Sequence, residues 1–146
     1  MSFTTEMQKF ALLTSPADTD RKVKTMVFEI GNRLVLRSPV GNPDKWKNPK
    51  SRPAGYVGGS FRSNWQYGFN AEPSGELSTI EEASVTTKRI ETGVLAASSA
   101  GIHYIVNNLP YAQEIEMGHS STQAPSGVVG LTEAEFPEIV ARVLRA

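Results

Sequence analysis

The chain has 146 residues, no cysteine, and fifteen acidic side chains against fifteen basic ones. That length suits one domain with an independent core. Structural disulfides are excluded, no apolar run nears the roughly 20 residues that span a bilayer, and the neutral balance argues against a dedicated nucleic-acid binder.

Residues 1–13 are expected to form a short helix, with Phe3, Met7, Phe10 and Ala11 or Leu12 near one face. They lack the basic start and apolar stretch of a signal peptide, so cytosolic synthesis is expected. Ser15-Pro16-Ala17-Asp18 reads as a helix start: Ser15 caps, Pro16 takes the first helical position, and Asp18 sits where a capping box needs an acid. Val23, Met26, Val27, Ile30 and Leu34 then follow helical spacing. Ser38-Pro39 disfavours continuation, so this core helix should run to about Arg37.

Residues 38–60 form a different regime, with Pro39, Pro43, Pro49 and Pro53 and four glycines. A connection of this length inside a domain is often functional. It carries Lys45, Lys47, Lys50 and Arg52 with Trp46 and Tyr56 interleaved. Such a loop either folds its aromatics back on the core or orders against another subunit. Gly58-Gly59 lacks the flanking pattern of a phosphate loop and reads as a flexible or tight backbone passage.

Residues 64–70 place Trp65, Tyr67 and Phe69 on one face, which is strand periodicity. Arg62, three residues before Trp65, can pin that strand to an acidic group, stack on an aromatic, or simply lie exposed. Pro73 and Gly75 mark a turn. Ser78…Glu81 and Thr79…Glu82 both match capping-box spacing, so a second long helix should open there. Ala83, Thr87, Ile90, Val94 and Ala97 form its small-residue stripe, and Gly93 is its weak point. Residues 102–106 are a β-branched and aromatic strand. Residues 111–117 are a short helix closed by Gly118, and 126–131 read as a short strand. Thr132 should cap the last helix, with Glu135 completing the box and Leu131 and Phe136 as a hydrophobic staple. Pro137 weakens that start, and Ile139, Val140, Val143 and Leu144 supply the apolar face. There is no internal repeat.

Catalytic chemistry finds little footing. His119 lies beside Ser120 and Ser121 with Glu116 near, but neighbours in one loop rarely align as a triad, and no G-x-S-x-G elbow exists. His103 falls in a strand, as a packed or edge residue. Two histidines without H-x-x-x-H spacing or cysteine make a poor metal site. Glu114 and Glu116, two apart on a helix, point to different faces and do not make a two-carboxylate site. The expectation is no catalytic residue, no metal and no cofactor.

Charge is unevenly distributed. Residues 1–62 hold eleven Lys/Arg and five Asp/Glu, giving +6, and residues 63–146 hold four and ten, giving −6. Either solvated faces have segregated, or one subunit's basic part faces its neighbour's acidic part.

Residues 107–132 combine two turn signals, a short helix and Pro/Gly breaks. Asn107-Asn108-Leu109-Pro110-Tyr111-Ala112, an acidic residue and Gly118, then Gln123-Ala124-Pro125-Ser126-Gly127 resemble the small tail-completion (neck) proteins of lambda-like tailed bacteriophages. The earlier run Tyr56–Trp65, reading YVGGSFRSNW, is similar to the same family's Gly-x-x-Arg-x-x-Trp region. The two patches cover about a quarter of the chain. In that family such a stretch follows a strand and precedes a C-terminal helix.

The pattern as a whole predicts a single α+β domain over residues 1–146, with a small antiparallel sheet packed on long helices and an arm at 38–60. The resemblance implies a structural virion protein of the neck or head-proximal tail, assembled in the bacterial cytoplasm. It would complete the tail for joining to the DNA-filled head. A related head–tail adaptor or tail terminator is the alternative; a small hydrolase or a monomeric binding module is a remoter one. Ring assembly follows, hexameric to match a tail tube or dodecameric to match a portal. Its neighbours would be neck, terminator or tube proteins, with DNA passing through the ring. Candidate subunit-interface residues are Trp46, Lys47, Tyr56 and Arg62 in the first patch and the arm. Tyr111, Glu114, Glu116, Gln123, Ala124 and Pro125 are the candidates in the second. The two glutamates would meet Lys45, Lys47, Lys50 or Arg52 of a neighbouring copy.

Overall fold

The computed structural model describes residues 15–41, 48, 50, 58–118, 123–124 and 126–146. The predicted helix at 1–13, His119, and most of the 38–60 arm lie outside them. Among the described residues six helices and two strands follow in order: α1 (Pro16–Arg37), α2 (Ser60–Ser63), β1 (Trp65–Phe69), α3 (Ala83–Ala96), β2 (His103–Asn107), α4 (Ala112–Glu116), α5 (Val129–Ala134) and α6 (Phe136–Arg145). This is the expected α+β architecture.

α1 starts where its sequence requires. Ser15 is extended, its hydroxyl accepts the Asp18 N–H at 3.3 Å, and Pro16 opens the helix. Asp18 turns its carboxylate to Arg21 and Lys22. The helix ends at Ser38, whose hydroxyl donates to Leu34 O at 2.6 Å and accepts the Trp65 indole N–H at 2.7 Å. One Ser thus closes the helix and satisfies the buried polar edge of the largest core ring.

β1 and β2 pair antiparallel, from Trp65 opposite Asn107 to Phe69 opposite His103. The alternation puts Trp65, Tyr67, His103 and Ile105 on one face, towards the helices. Leu34, Val35, Phe61, Trp65, Ile90 and Val94 form the main core, closed by Leu109, Ala124 and Val128. A second cluster joins Met26 of α1 to Ile139, Val140 and Val143 of α6. The apolar face read for the last helix is therefore the one buried.

Several boundaries differ from expectation. α3 begins at Ala83, with Glu82 at the N-cap position and no side-chain cap. The capping boxes at Ser78 and Thr79 do not form: residues 77–81 lie outside any helix, with Leu77 and Glu81 bound to the side chains of Asn64 and Ser63. Gly93 is a fitted position: a Cβ there would stand 2.7 Å from Tyr67 Cδ1, so its absence lets the ring lie on the helix. The strand expected at 126–131 does not form: residues 129–131 open a helix that runs to Ala134. Thr132 lies inside that helix, where its hydroxyl donates to Val128 O at 2.9 Å. The last helix starts afresh at Phe136, with Pro137 in its first turn, where the missing N–H costs nothing. Leu131 remains 42% exposed, so the expected staple does not set this start. Ser60 already belongs to α2, so the arm is shorter than read. Gly58 packs its backbone on Gly41 with no room for a Cβ, which pinches the arm at its root.

Candidate functional site

The two sequence patches singled out above meet in space. Asn107, at the end of β2, donates its amide to Phe61 O at 2.8 Å, and its Oδ1 accepts the Leu109 N–H at 3.3 Å. Leu109 is then carried into the core, and the chain turns at Pro110. The Tyr111 ring lies 6.4 Å from the Phe61 ring, which in turn meets Trp65 edge-on at 5.7 Å. Tyr111 remains 39% exposed at the outer end of this aromatic row.

α4 follows for five residues, and Gly118 at φ +89° ends it, as expected for a left-handed cap. Its last residue, Glu116, is the organising group of the region. Its carboxylate accepts the N–H groups of Val128 at 2.9 Å, Val129 at 2.7 Å and Gly130 at 2.8 Å. Those are the donors at the start of α5 that have no partner inside the helix. A negative charge there also meets the positive end of the helix dipole. Burial raises the Glu116 pKa, but the bonds from Gly130, Val128 and Val129 lower it and prevail, so it is held below 4.5. Gly127, at φ +81°, packs against the Glu116 carbonyl and carboxylate in a conformation that side chains rarely adopt. One carboxylate thus fastens the end of α4 to the start of α5. This accounts for the helix where a strand was expected.

Gln123 makes a second fastening. Its amide Nε2 donates to Val40 O and its Oε1 accepts the Val40 N–H, both at 2.8 Å. The side chain pairs with a loop residue as a neighbouring strand would. Ala124, 3% exposed, is part of the core beside it. Asn64 does the same for Leu77, accepting its N–H at 2.7 Å and donating to its carbonyl at 3.0 Å. Ser63 repeats the pattern with Glu81, at 2.9 and 3.2 Å. A two-stranded sheet leaves many backbone groups to satisfy, and three polar side chains meet part of that need.

Arg62 and Arg89 complete the framework. Arg62 donates to Glu81 O at 3.3 Å, and its Nε is buried without a hydrogen-bond partner among the described residues. Arg89 takes the anchoring role that Arg62 was a candidate for. It donates to Trp65 O at 3.0 Å, Ser63 O at 2.9 Å and the Glu81 carboxylate at 2.7 Å. The opposite charges of the two chain parts also meet within the fold: Arg33 and Arg37 of α1 both bind Glu135, and Arg142 of α6 binds Glu29. The Arg37 bond foremost, against the opposing effect of burial, holds the Glu135 carboxyl below its ordinary value.

Of the interface candidates, Tyr111, Glu114 and Gln123 are exposed on this side, whereas Ala124 faces the core and Glu116 faces its own chain. Trp46, Lys47, Tyr56 and Pro125 lie outside the described residues. His103 is a packed residue, its Nδ1 2.7 Å from the Tyr67 hydroxyl. Among the described residues no three His, Cys, Asp or Glu gather as a metal set, and no helix is long and apolar enough to cross a membrane. Glu135, read as a capping-box acid, instead binds Arg33 and Arg37; the roles of Arg89 and Asn64 were missed because their partners leave no local spacing to read. Searches of protein-family models, curated proteins and solved structures return no match to this chain.

Proposed function

We propose that this chain is a structural virion protein of a tailed phage, placed in the neck or at the head-proximal end of the tail. It works by assembly and catalyses no reaction. Copies form a ring, sixfold where it continues a tail tube, that completes the tail for joining to the head. The ring's neighbours are neck, terminator or tube proteins, and DNA passes through it.

The observation that carries this reading is the convergence of the two family-like patches on one surface. The Phe61–Tyr111 contact joins the two patches, Tyr111 and Glu114 are exposed, and Gln123 grips Val40 near the start of residues 38–60. Trp46, Lys47 and Tyr56 follow Val40 in the sequence. Aromatic side chains of this kind are enriched at protein interfaces. The polar groups that hold the surface are consumed in fastening backbone, which suits a docking platform.

The test is light scattering and negative-stain imaging of the purified chain, alone and with tail-tube protein, at low and high salt. Rings, or a chain that joins tube ends, are expected. A monomer under every condition, with no binding to tubes, would refute the proposal.

A further inference from the structure

β2 leaves one of its edges open. The Asn70 N–H donates to Ile102 O at 2.8 Å, and the Asn70 side chain accepts the Ile102 N–H at 2.9 Å. That contact fixes the phase of the ladder. Tyr104 and Val106 bond to β1, while His103, Ile105 and Asn107 turn their N–H and C=O groups the other way. Among the described residues nothing hydrogen-bonds the outward backbone of His103 or Ile105. The outer side of β1 is covered, with Arg89 on Trp65 O and α3 receiving the Tyr67 ring at Gly93. β2 reads HYIVN and lacks the Lys or Pro that commonly guards an exposed edge.

An apolar groove of about 370 Å³ adjoins this strand. Val27 and Ile30 of α1 line it, with Ile105 on one side and Val129 of α5 on the other. Glu133 of α5 lines it too; it is exposed, and its carboxylate has no hydrogen bond or ion pair among the described residues.

We infer that β2 and this groove take an extended peptide arm of another protein, paired antiparallel to β2 as a third strand. The open edge sets the form of the arm, because backbone groups presented at every second residue match another extended backbone. Arm residues opposite His103 and Ile105 point their side chains to the same sheet face, towards Val27 and Ile30. Two apolar side chains two residues apart therefore enter the groove. The uncompensated Glu133 selects a Lys or Arg beside them. A second copy's β2 does not fit, because α5 stands where that copy's β1 would have to pass. A two-stranded sheet is marginal alone, so a third strand also strengthens the fold. This inference does not rest on the neck reading.

The probe is a capped synthetic peptide, Thr-Val-Thr-Val-Thr-Lys-Thr, titrated into the isotope-labelled full chain. Shifts are expected at the His103, Ile105 and Asn107 amides, with exchange of the His103 and Ile105 amides slowed about tenfold and α3 unchanged. The same peptide N-methylated at both valines loses the donors that face β2 and should bind about tenfold more weakly. Glu133→Lys should weaken the lysine peptide about threefold and favour a version with Glu in place of Lys. No shift at β2 with millimolar peptide would overturn the inference. So would equal binding of the N-methylated peptide, or a Glu133→Lys protein that keeps the wild-type preference for lysine.

Discussion

Replacing Glu116 with Gln tests whether one carboxylate holds the end of α4 to the start of α5. The variant keeps the side-chain length and one carbonyl oxygen but loses the charge and the second acceptor. Wild type directs one oxygen to Val128 and Val129 and the other to Gly130. Hydrogen bonds to a charged group are worth about 1.5–3 kcal/mol each, and a neutral amide recovers about half of that. Favourable charge at a helix start adds about 0.3–1 kcal/mol. Partial exposure and retained bonds to the amide oxygen reduce the sum, so Glu116→Gln should cost about 2 kcal/mol at neutral pH. For a domain of this size that lowers Tm by about 4–8 °C. The loss should depend on pH. The folded pKa lies below the ordinary 4.5, so the contribution is complete above the unfolded-state pKa and disappears as pH falls through the folded one. Urea unfolding of both proteins at neutral pH and at successive points below pH 4.5 follows this directly. A difference under about 0.5 kcal/mol, or one that stays constant into acid, would refute the clamp.

Arg89→Lys removes a fork that holds two carbonyls and a carboxylate, and should cost about 2 kcal/mol in urea unfolding. Gly93→Ala gains about 1 kcal/mol of helix propensity but drives a methyl into Tyr67, so a net loss of about 1 kcal/mol is expected by calorimetry. Gln123→Ala should speed Val40 amide exchange and lower stability by about 1–2 kcal/mol, without altering the exchange of α3. Glu114→Lys should weaken ring assembly and leave unfolding unchanged within about 0.5 kcal/mol. Glu116→Lys should instead unfold the region, so only the Glu114 change separates docking from folding.

What was legible in the sequence was local. Ser15 before Pro16 announced α1, alternation at Trp65, Tyr67 and Phe69 announced β1, and the Ile139–Val143 spacing announced the buried face of α6. What was hidden was settled across distance. The box at Ser78 was a sound local signal, but Asn64 and Ser63 bind the backbone of Leu77 and Glu81 instead. Residues 126–131 carried strand-favouring valines, but a carboxylate from α4 supplied the missing cap of a helix. The candidate surface was legible as a segment. The division of its residues into exposed Tyr111 and Glu114, core Ala124 and inward-turned Glu116 required the fold.

The pairing of α1 with α6 has a consequence for synthesis. Arg33 and Glu135 are 102 residues apart, and ribosomes add about 5–20 residues per second. For about 5–20 s after α1 is made, Met26 has no α6 beside it and Arg33 and Arg37 have no Glu135. The first helix emerges with an apolar face and with Arg33 and Arg37 lacking their later partner, and it must wait with both features uncovered. The yield of folded protein should therefore respond to codon choice between the two helices more than to changes within either.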